Sequence, residues 1–409
     1  MRQPGELIRF FVVEWRILSF GLIFQFTSSF GRTFYIALFG TEIQSDFDLT
    51  PGEFSYIYSA ATLTAALLIP WLGRIVDDID IRKYAFLMVF ALAISALSFS
   101  AATHVAVLGL ALFGFRTTGG SMMNHASVVM MSRYFVRRRG IATSICAIGI
   151  AIGEAVLPIL AVLMMGIIGW RMTWFGSGML LLVVAAPVLL WLLWSIPLDA
   201  KAKAQDRDAA AEPDTETRHA TRREALADPK FYTLAPTLVL PPPLITALFF
   251  HHGTIAEVKG WSLEWLAACF VGFAVSTIVA AIVFGMLVDR YSARRMLLWT
   301  TVPMVAGLLC LVYGSSPAAA LFYLLGVGLT TGGRYSLSGA IWAEVYGTRH
   351  LGGIRSMVHV VTALLFGISP AAFGWLIDQG IDIDTVVLAF TYLLVASMVV
   401  AAFATRKPR

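Results

Sequence analysis

A chain of 409 residues that is 58% hydrophobic and 13% charged, with a mean hydropathy of +0.78, lies outside the range of soluble globular domains. Its net charge of +5 does not point to nucleic acid, because in so apolar a chain basic residues gather in loops on the cytoplasmic side of a membrane. Three cysteines, Cys146, Cys269 and Cys310, all inside apolar runs, imply no disulfide framework and read as small buried hydrophobes.

Windows of about 20 apolar residues, enough to cross roughly 30 Å of hydrocarbon, predict twelve helices. Six run 17–39, 53–73, 84–103, 106–131, 140–166 and 172–196; six more run 231–252, 263–285, 295–314, 317–341, 351–376 and 384–404. Runs this long exclude a barrel, since lipid permits only helices or closed barrels. Glu6, Arg9, Glu14 and Arg16 leave no apolar core for a cleavable signal, so the first spanning helix is expected to serve as its own address.

The first predicted helix offers Gln25, Ser28 or Ser29, and Arg32 on one face at helical spacing. Arg32 either faces polar company there or snorkels to the boundary. Between the second and third helices, GRIVDDIDIRKY at 73–84 places Gly73, Asp77, Arg82 and Lys83 as a charged knot. A glycine at a helix end lets a neighbour approach, and an aspartate beside it can accept from a helix N-terminus or pair with arginine. The fourth helix carries FRTTGGSMMNH, in which Arg116, Gly120 and Asn124 share a stripe and His125 is adjacent. A charge in mid-membrane costs about 2.5–3.5 kcal/mol on insertion scales, so Arg116 should meet a partner or water. Glu154, in the fifth helix, is the one carboxylate placed well inside a predicted span; it either loads a proton or compensates Arg116.

Residues 198–229 are charged and alanine-rich with no apolar period, a cytoplasmic linker with room for a short helix. The expected organisation is a six-helix bundle over 1–197, the linker over 198–229 and a second bundle over 230–409. The seventh helix follows Pro229 and contains Pro236, Pro241, Pro242 and Pro243, which must remove several backbone hydrogen bonds. His251 and His252 close it and are expected at the outer surface; neighbours on a helix point two ways, so joint metal binding is not expected. GMLVDRYSARRM at 285–296 repeats the charged knot as Gly285, Asp289, Arg294 and Arg295, with glycine, aspartate and first base each 212 residues after its counterpart. The tenth helix carries Thr330, Arg334 and Ser338 in a four-residue rhythm. His359 in the eleventh is a candidate substrate or proton group, or a hydrogen-bonded packing residue. TTGG occurs at 117–120 and 330–333, and Gly140 and Pro158 recur as Gly352 and Pro370. Two parallel six-helix halves follow from this repeat.

With both termini in the cytoplasm, 24 of the 30 lysines and arginines fall in inner segments, and only Arg171 and Lys259 fall in outer loops. Arginine's excess over lysine, 24 to 6, hints at a GC-rich bacterial genome and hence a bacterial inner membrane.

Together these residues resemble the major facilitator superfamily, whose loop between the second and third helices reads GxxxD(R/K)xGx(R/K)(R/K). The resemblance covers nearly the whole chain and implies an all-α membrane protein of twelve helices in two pseudo-symmetric halves, with helices 1, 4, 7 and 10 lining a central cavity. It makes the two charged knots gating elements. Asp78 and Asp80 stand where the family has a base and a glycine, so the gate pairing is expected to be rearranged. Arg116 with Gly120 looks like the RxxxG element of proton-coupled members, in which the arginine faces the cavity. The glycine-proline element of drug antiporters is absent from the fifth helix, where Gly153 precedes Glu154.

No GxSxG, HExxH or Walker loop occurs, so neither catalysis nor a cofactor is expected. The expected activity is secondary transport of a small solute by alternating access, by a monomer, with no nucleic-acid partner. Arg32, Arg116 and Arg334 against Glu154 leave the spans net positive, and the planar guanidinium suits carboxylate or phosphate. The expected substrate is therefore a small organic anion such as a monocarboxylate, moved by proton symport or exchanged for another anion. The polar stripes on helices 1, 4, 10 and 11 are its candidate contacts, with Glu154 and Arg116 coupling the proton. One rival is proton-coupled efflux of a drug-like compound, to which Phe24, Phe26, Met122 and Met123 would contribute. The other is a non-transporting membrane sensor, which would usually add a soluble output domain.

Overall fold

The computed structural model of the chain describes residues 4–72, 79–135, 139–194, 221–347 and 351–405. Gly73 and Asp77 of the first charged knot, and residues 198–220 of the linker, lie outside the described residues. Helices account for almost all the rest, and no strand occurs among the described residues. Each of the twelve predicted spans coincides with helix among the described residues: α1 (Pro4–Ser28), α2 (Pro51–Leu72), α3 (Ile81–Ser100), α4 (105–134), α5 (139–168), α6 (170–193), α7 (Pro229–Phe250, in two segments, Pro229–Val239 and Pro241–Phe250, that meet at Leu240), α8 (Leu263–Tyr291), α9 (Ala293–Tyr313), α10 (Pro317–Tyr346), α11 (Leu351–Asp378) and α12 (Ile383–Thr405). Eight helical segments among the described residues, one of them joining α5 to α6, are long and apolar enough to cross a membrane. The chain is an all-α membrane protein.

Where boundaries depart from the predicted ones, the cause is local. α1 does not run to residue 39. It ends in a 3-10 turn at Ser29–Gly31, Arg32 is extended at φ −92° and ψ 154°, and short helical pieces at Thr33–Ile36, Ala37–Phe39 and Gly40–Phe47 follow. Arg32 therefore does not continue the helical stripe of Gln25. Gly169 alone separates α5 from α6, at φ 75° and ψ 166°, a region that costs glycine little and other residues much. Ser292 alone separates α8 from α9, at φ 88° and ψ 150°, without that freedom. α4 carries a π-turn at Thr118–Met122, overlapping the TTGG stretch. Asp228 caps α7 by accepting from Lys230 N at 2.9 Å, and Pro229 fills the first helical position, where no N–H is missed.

The chain divides into two compact units. The first comprises Met1–Ile36, Thr64–Gly153 and Leu163–Asp214. Its helices approach through glycines: a methyl on Gly31 or Gly119 would strike the other's backbone, and one on Gly149 would strike the Leu22 carbonyl. An aromatic cluster of Tyr35, Phe99, Phe115, Trp170 and Trp174 fills the unit, with centroids 4.7 to 5.8 Å apart. Arg171 Nη1 donates to Ser100 O and Ala102 O, the orphan carbonyls that close α3.

The second unit comprises Ala37–Leu63, Glu154–Val162 and Thr215–Arg409. Leu234, Leu238, Leu297, Leu337, Ile341 and Trp342 form the heart of a core around α7, α9 and α10. Gly326 lets α10 close onto Pro303 O of α9, and Gly328 and Gly332 let it close onto α8. Lys259 Nζ donates to Val312 O at 2.9 Å, closing α9, and pairs with Asp384 at 2.7 Å. Ser100 and Val312 are 212 residues apart, so both bases of the predicted outer loops close the same position of the repeat. Cys146 and Cys269 are buried as expected. Cys310 is exposed, because a membrane helix turns one apolar face outward and an apolar run does not say which residue lies on it.

Candidate functional site

In the first unit Gln25 is 2% exposed, and its Nε2 donates to Asn124 Oδ1 at 2.8 Å, tying α1 to α4. Ser28 Oγ donates back to Gln25 O at 2.7 Å. The two residues of the predicted stripes thus meet, and Asn124 keeps an exposed face. Arg116 is half-buried at the last turn before the π-turn. Its Nη1 lies 3.0 Å from where a Cβ on Gly120 would stand, so the guanidinium folds back over the glycine four residues on. The RxxxG spacing acquires a physical reason: a Cβ at 120 would crowd the guanidinium, which would have to give by a few tenths of an ångström. Neighbouring Gly119 serves a different purpose, the approach to Gly31. Arg32 is half-buried at the end of the 3-10 turn. Phe24, Met122 and Met123 are buried in the core.

In the second unit the sequence of α7 decides the position of Arg334. Pro242 has no N–H, so Leu238 O loses its helical donor, and Pro241 and Pro243 do the same to Thr237 O and Val239 O. Arg334 Nε donates to Leu238 O at 3.1 Å. Among the described residues the guanidinium meets no carboxylate. Ser338, one turn on, is half-buried. Thr330, one turn back, turns elsewhere: its Oγ1 accepts from Met304 N at 3.0 Å, beside Pro303, and ties α10 to α9. Glu154 is 9% exposed in α5. His359 is exposed on α11, between exposed Val360 and Val361 and the exposed Arg355 turn, not packed in the core.

Of the gating residues, Arg82 N donates to Asp80 Oδ1 at 2.8 Å, and Arg82 Nε to Leu193 O at 3.1 Å. Asp80, the departure from the family loop, is the N-cap of α3. Lys83 is exposed and Arg82 half-buried. In the second knot Gly285 faces Ser336 Oγ, Asp289 and Arg295 are exposed, and Arg294 is half-buried. Here the cap on the following helix comes from far away: Glu344 Oε2 of α10 accepts from Ala293 N at 2.8 Å.

The sequence placed His251 and His252 at the outer surface; they are 2% and 1% exposed. His251 is covered by α2 and α11, and His252 by α8 and α10. His251 Nε2 lies 3.2 Å from Ser55 Oγ and 3.1 Å from Pro370 O. His252 Nε2 lies 3.0 Å from Tyr323 Oη. Among the described residues no group of three or more His, Cys, Asp or Glu is placed to hold a metal.

A model of the Major Facilitator Superfamily matches residues 21–276 and 245–409. Monocarboxylate transporter 12 of Rattus norvegicus is 25% identical over 394 residues, covering 90% of this chain and 81% of that protein. Monocarboxylate transporter 6 of Homo sapiens is 28% identical over 146 residues, 35% of this chain and 28% of that one. Among solved structures, an inward-facing, unoccupied bacterial homologue of the human lysosomal transporter Spinster superposes with a TM-score of 0.72 at 14% identity, covering 96% of this chain and 97% of that one. The nucleoside transporter NupG superposes with a TM-score of 0.66 at 13% identity over 96% of this chain and 100% of its own. At those identities the likeness is one of fold.

Proposed function

The chain belongs to the major facilitator superfamily of membrane transporters, and from that premise we propose that it is a secondary transporter for a small organic anion of the monocarboxylate class. The observation that carries this reading is Arg334. Its Nε is spent on a carbonyl orphaned by Pro242, and no carboxylate among the described residues neutralises it. A charge within a membrane helix costs about 2.5–3.5 kcal/mol on insertion scales. A ligand carboxylate can offset that cost through charge-assisted bonds to the remaining N–H groups, which is what the planar fork favours. Monocarboxylate transporters among the relatives support the same ligand class. In the first unit Arg116, its guanidinium lying over Gly120, is proposed on its own account as an anion-binding group.

In this reading the solute crosses by alternating access, coupled either to a proton carried by Glu154 or to a counter-anion. The proposed setting is a plasma membrane with both termini in the cytoplasm. A thermal-shift series of the purified protein against small monocarboxylates tests the ligand class. Stabilisation is expected in the wild type, absent in Arg334→Ala and weakened in Arg116→Ala. No response of the wild type to any anion, or net export of lipophilic cations from proteoliposomes under a pH gradient, would overturn it.

A further inference from the structure

In the second unit α2, α7 and α11 meet at the end of α7 remote from its Asp228 cap. Asp378, the last residue of α11, accepts from Thr50 Oγ1 at 2.9 Å and from Gly52 N at 3.2 Å, so its carboxylate sits on the N-terminus of α2. Gly52 and Gly374 admit this approach: a Cβ on the first would strike Asp378 and one on the second would strike Ser55. Into the crossing α7 inserts His251, its ring stacked on Phe373 at 4.7 Å and edge-on to Phe250 at 5.3 Å.

The hydrogen bonds fix the tautomer. Pro370 O can only accept, so the hydrogen is on Nε2. Ser55 Oγ donates its own hydrogen to Pro51 O at 2.6 Å, so towards the ring it too accepts. One Nε2–H thus holds an acceptor on α2 and another on α11, and Nδ1 is the nitrogen left to take a proton. The titratable groups around the ring are Asp378 on α11, Glu53 and Tyr58 on α2, and His252 beside it, which is bonded to Tyr323 of α10. Asp378 carries the nearest opposite charge and is committed to α2, while Glu53 is committed to Thr50 N at 2.9 Å.

We propose that His251 is a proton-binding site of the transport cycle: Nδ1 takes a proton from water when α2 and α11 part at this end, and returns it to water before they rejoin. With the crossing closed, a second proton would place a charge between Phe250 and Phe373 while Asp378 is engaged elsewhere. With it open, water replaces Ser55 and the released Asp378 can face the imidazolium. The proton favours the open crossing, so acid should loosen it. This rests on the transport reading only in placing the step within a cycle; its test uses no substrate, so either can fail alone.

The test is amide hydrogen exchange of the whole protein in detergent, at about pH 5.5 and about pH 8, corrected for the intrinsic pH dependence. Segments 52–58 and 370–376 are expected to exchange at least ~5-fold faster at the lower pH. In His251→Gln, whose side-chain amide can still donate to both acceptors but does not titrate, the two values are expected to coincide. Ser55→Ala removes one closing bond, and the midpoint of the response is expected to move to higher pH. A wild type without a response, a His251→Gln that keeps it, or an unmoved midpoint in Ser55→Ala would overturn the proposal.

Discussion

Because Pro242 lacks an N–H, Leu238 O has no helical donor, and Arg334 Nε occupies the empty direction at 3.1 Å. Two residues 92 apart in sequence are thereby coupled by the absence of one hydrogen. Pro242→Ala restores the donor and competes for Leu238 O. The variant is expected to melt slightly higher, since the new N–H adds a hydrogen bond worth about 1 kcal/mol, while a proline in the first turn of the segment Pro241–Phe250 costs little in itself. It is also expected to bind the stabilising anion several-fold more weakly because Arg334 loses its anchor, by the ~1 kcal/mol a hydrogen bond is worth. A melting curve and an anion titration of the same preparation check both. The Thr330, Arg334, Ser338 rhythm was legible in the sequence, but the partner of each was not. Thr330 is drawn to Met304 N and Arg334 to Leu238 O, and spacing along one helix carries no information about the helix opposite.

At the scale of elements, the α8–α9 turn stands out because a single serine makes it. Ser292 at φ 88°, ψ 150° is in a region that suits only glycine, and it falls inside the second charged knot. Ser292→Gly relieves about 1–3 kcal/mol of backbone strain and gives back about 0.5–1 kcal/mol in unfolded-state entropy, so a net stabilisation of roughly 1 kcal/mol is expected. A rise in the unfolding midpoint measures it; an unchanged or lowered midpoint would mean the backbone is unstrained there. The two TTGG stretches show how far a repeat reaches. Gly119 admits α1 through Gly31, whereas Gly332 admits α8 through Thr277 O. The sequence announced a close approach at both places, and which helix approaches depends on the tertiary packing. The end of α1 departs from its hydropathy profile for a related reason: apolar residues continue past Ser28, and hydropathy cannot distinguish one spanning helix from a helix followed by short buried turns.

For the molecule as a whole, the uneven spread of basic residues predicts which side each end faces. Arg171 and Lys259, the bases of the sparse side, close α3 and α9 through Ser100 O and Val312 O, so both have structural work that accounts for their survival among so few. In a cysteine-free background, Glu257→Cys is expected to react with a membrane-impermeant maleimide in intact cells. Thr215→Cys in the linker is expected to react only after the membrane is opened. Labelling in the reverse order would invert the topology and leave the fold as it is.

By itself the sequence determined the solvent, the twelve spans, the repeat and the family, because each follows from quantities local to the chain: apolar run length against bilayer thickness, charge in loops, and glycine at fixed intervals. Only the tertiary structure decided that His251 is sealed beneath α2 and α11 and His252 against Tyr323 of α10, that Asp378 caps a helix more than 300 residues away, and that Arg334 meets no carboxylate among the described residues. Those facts are relations between groups on different helices. A buried polar atom takes whichever partner packing brings within about 3 Å, and sequence separation does not set that distance.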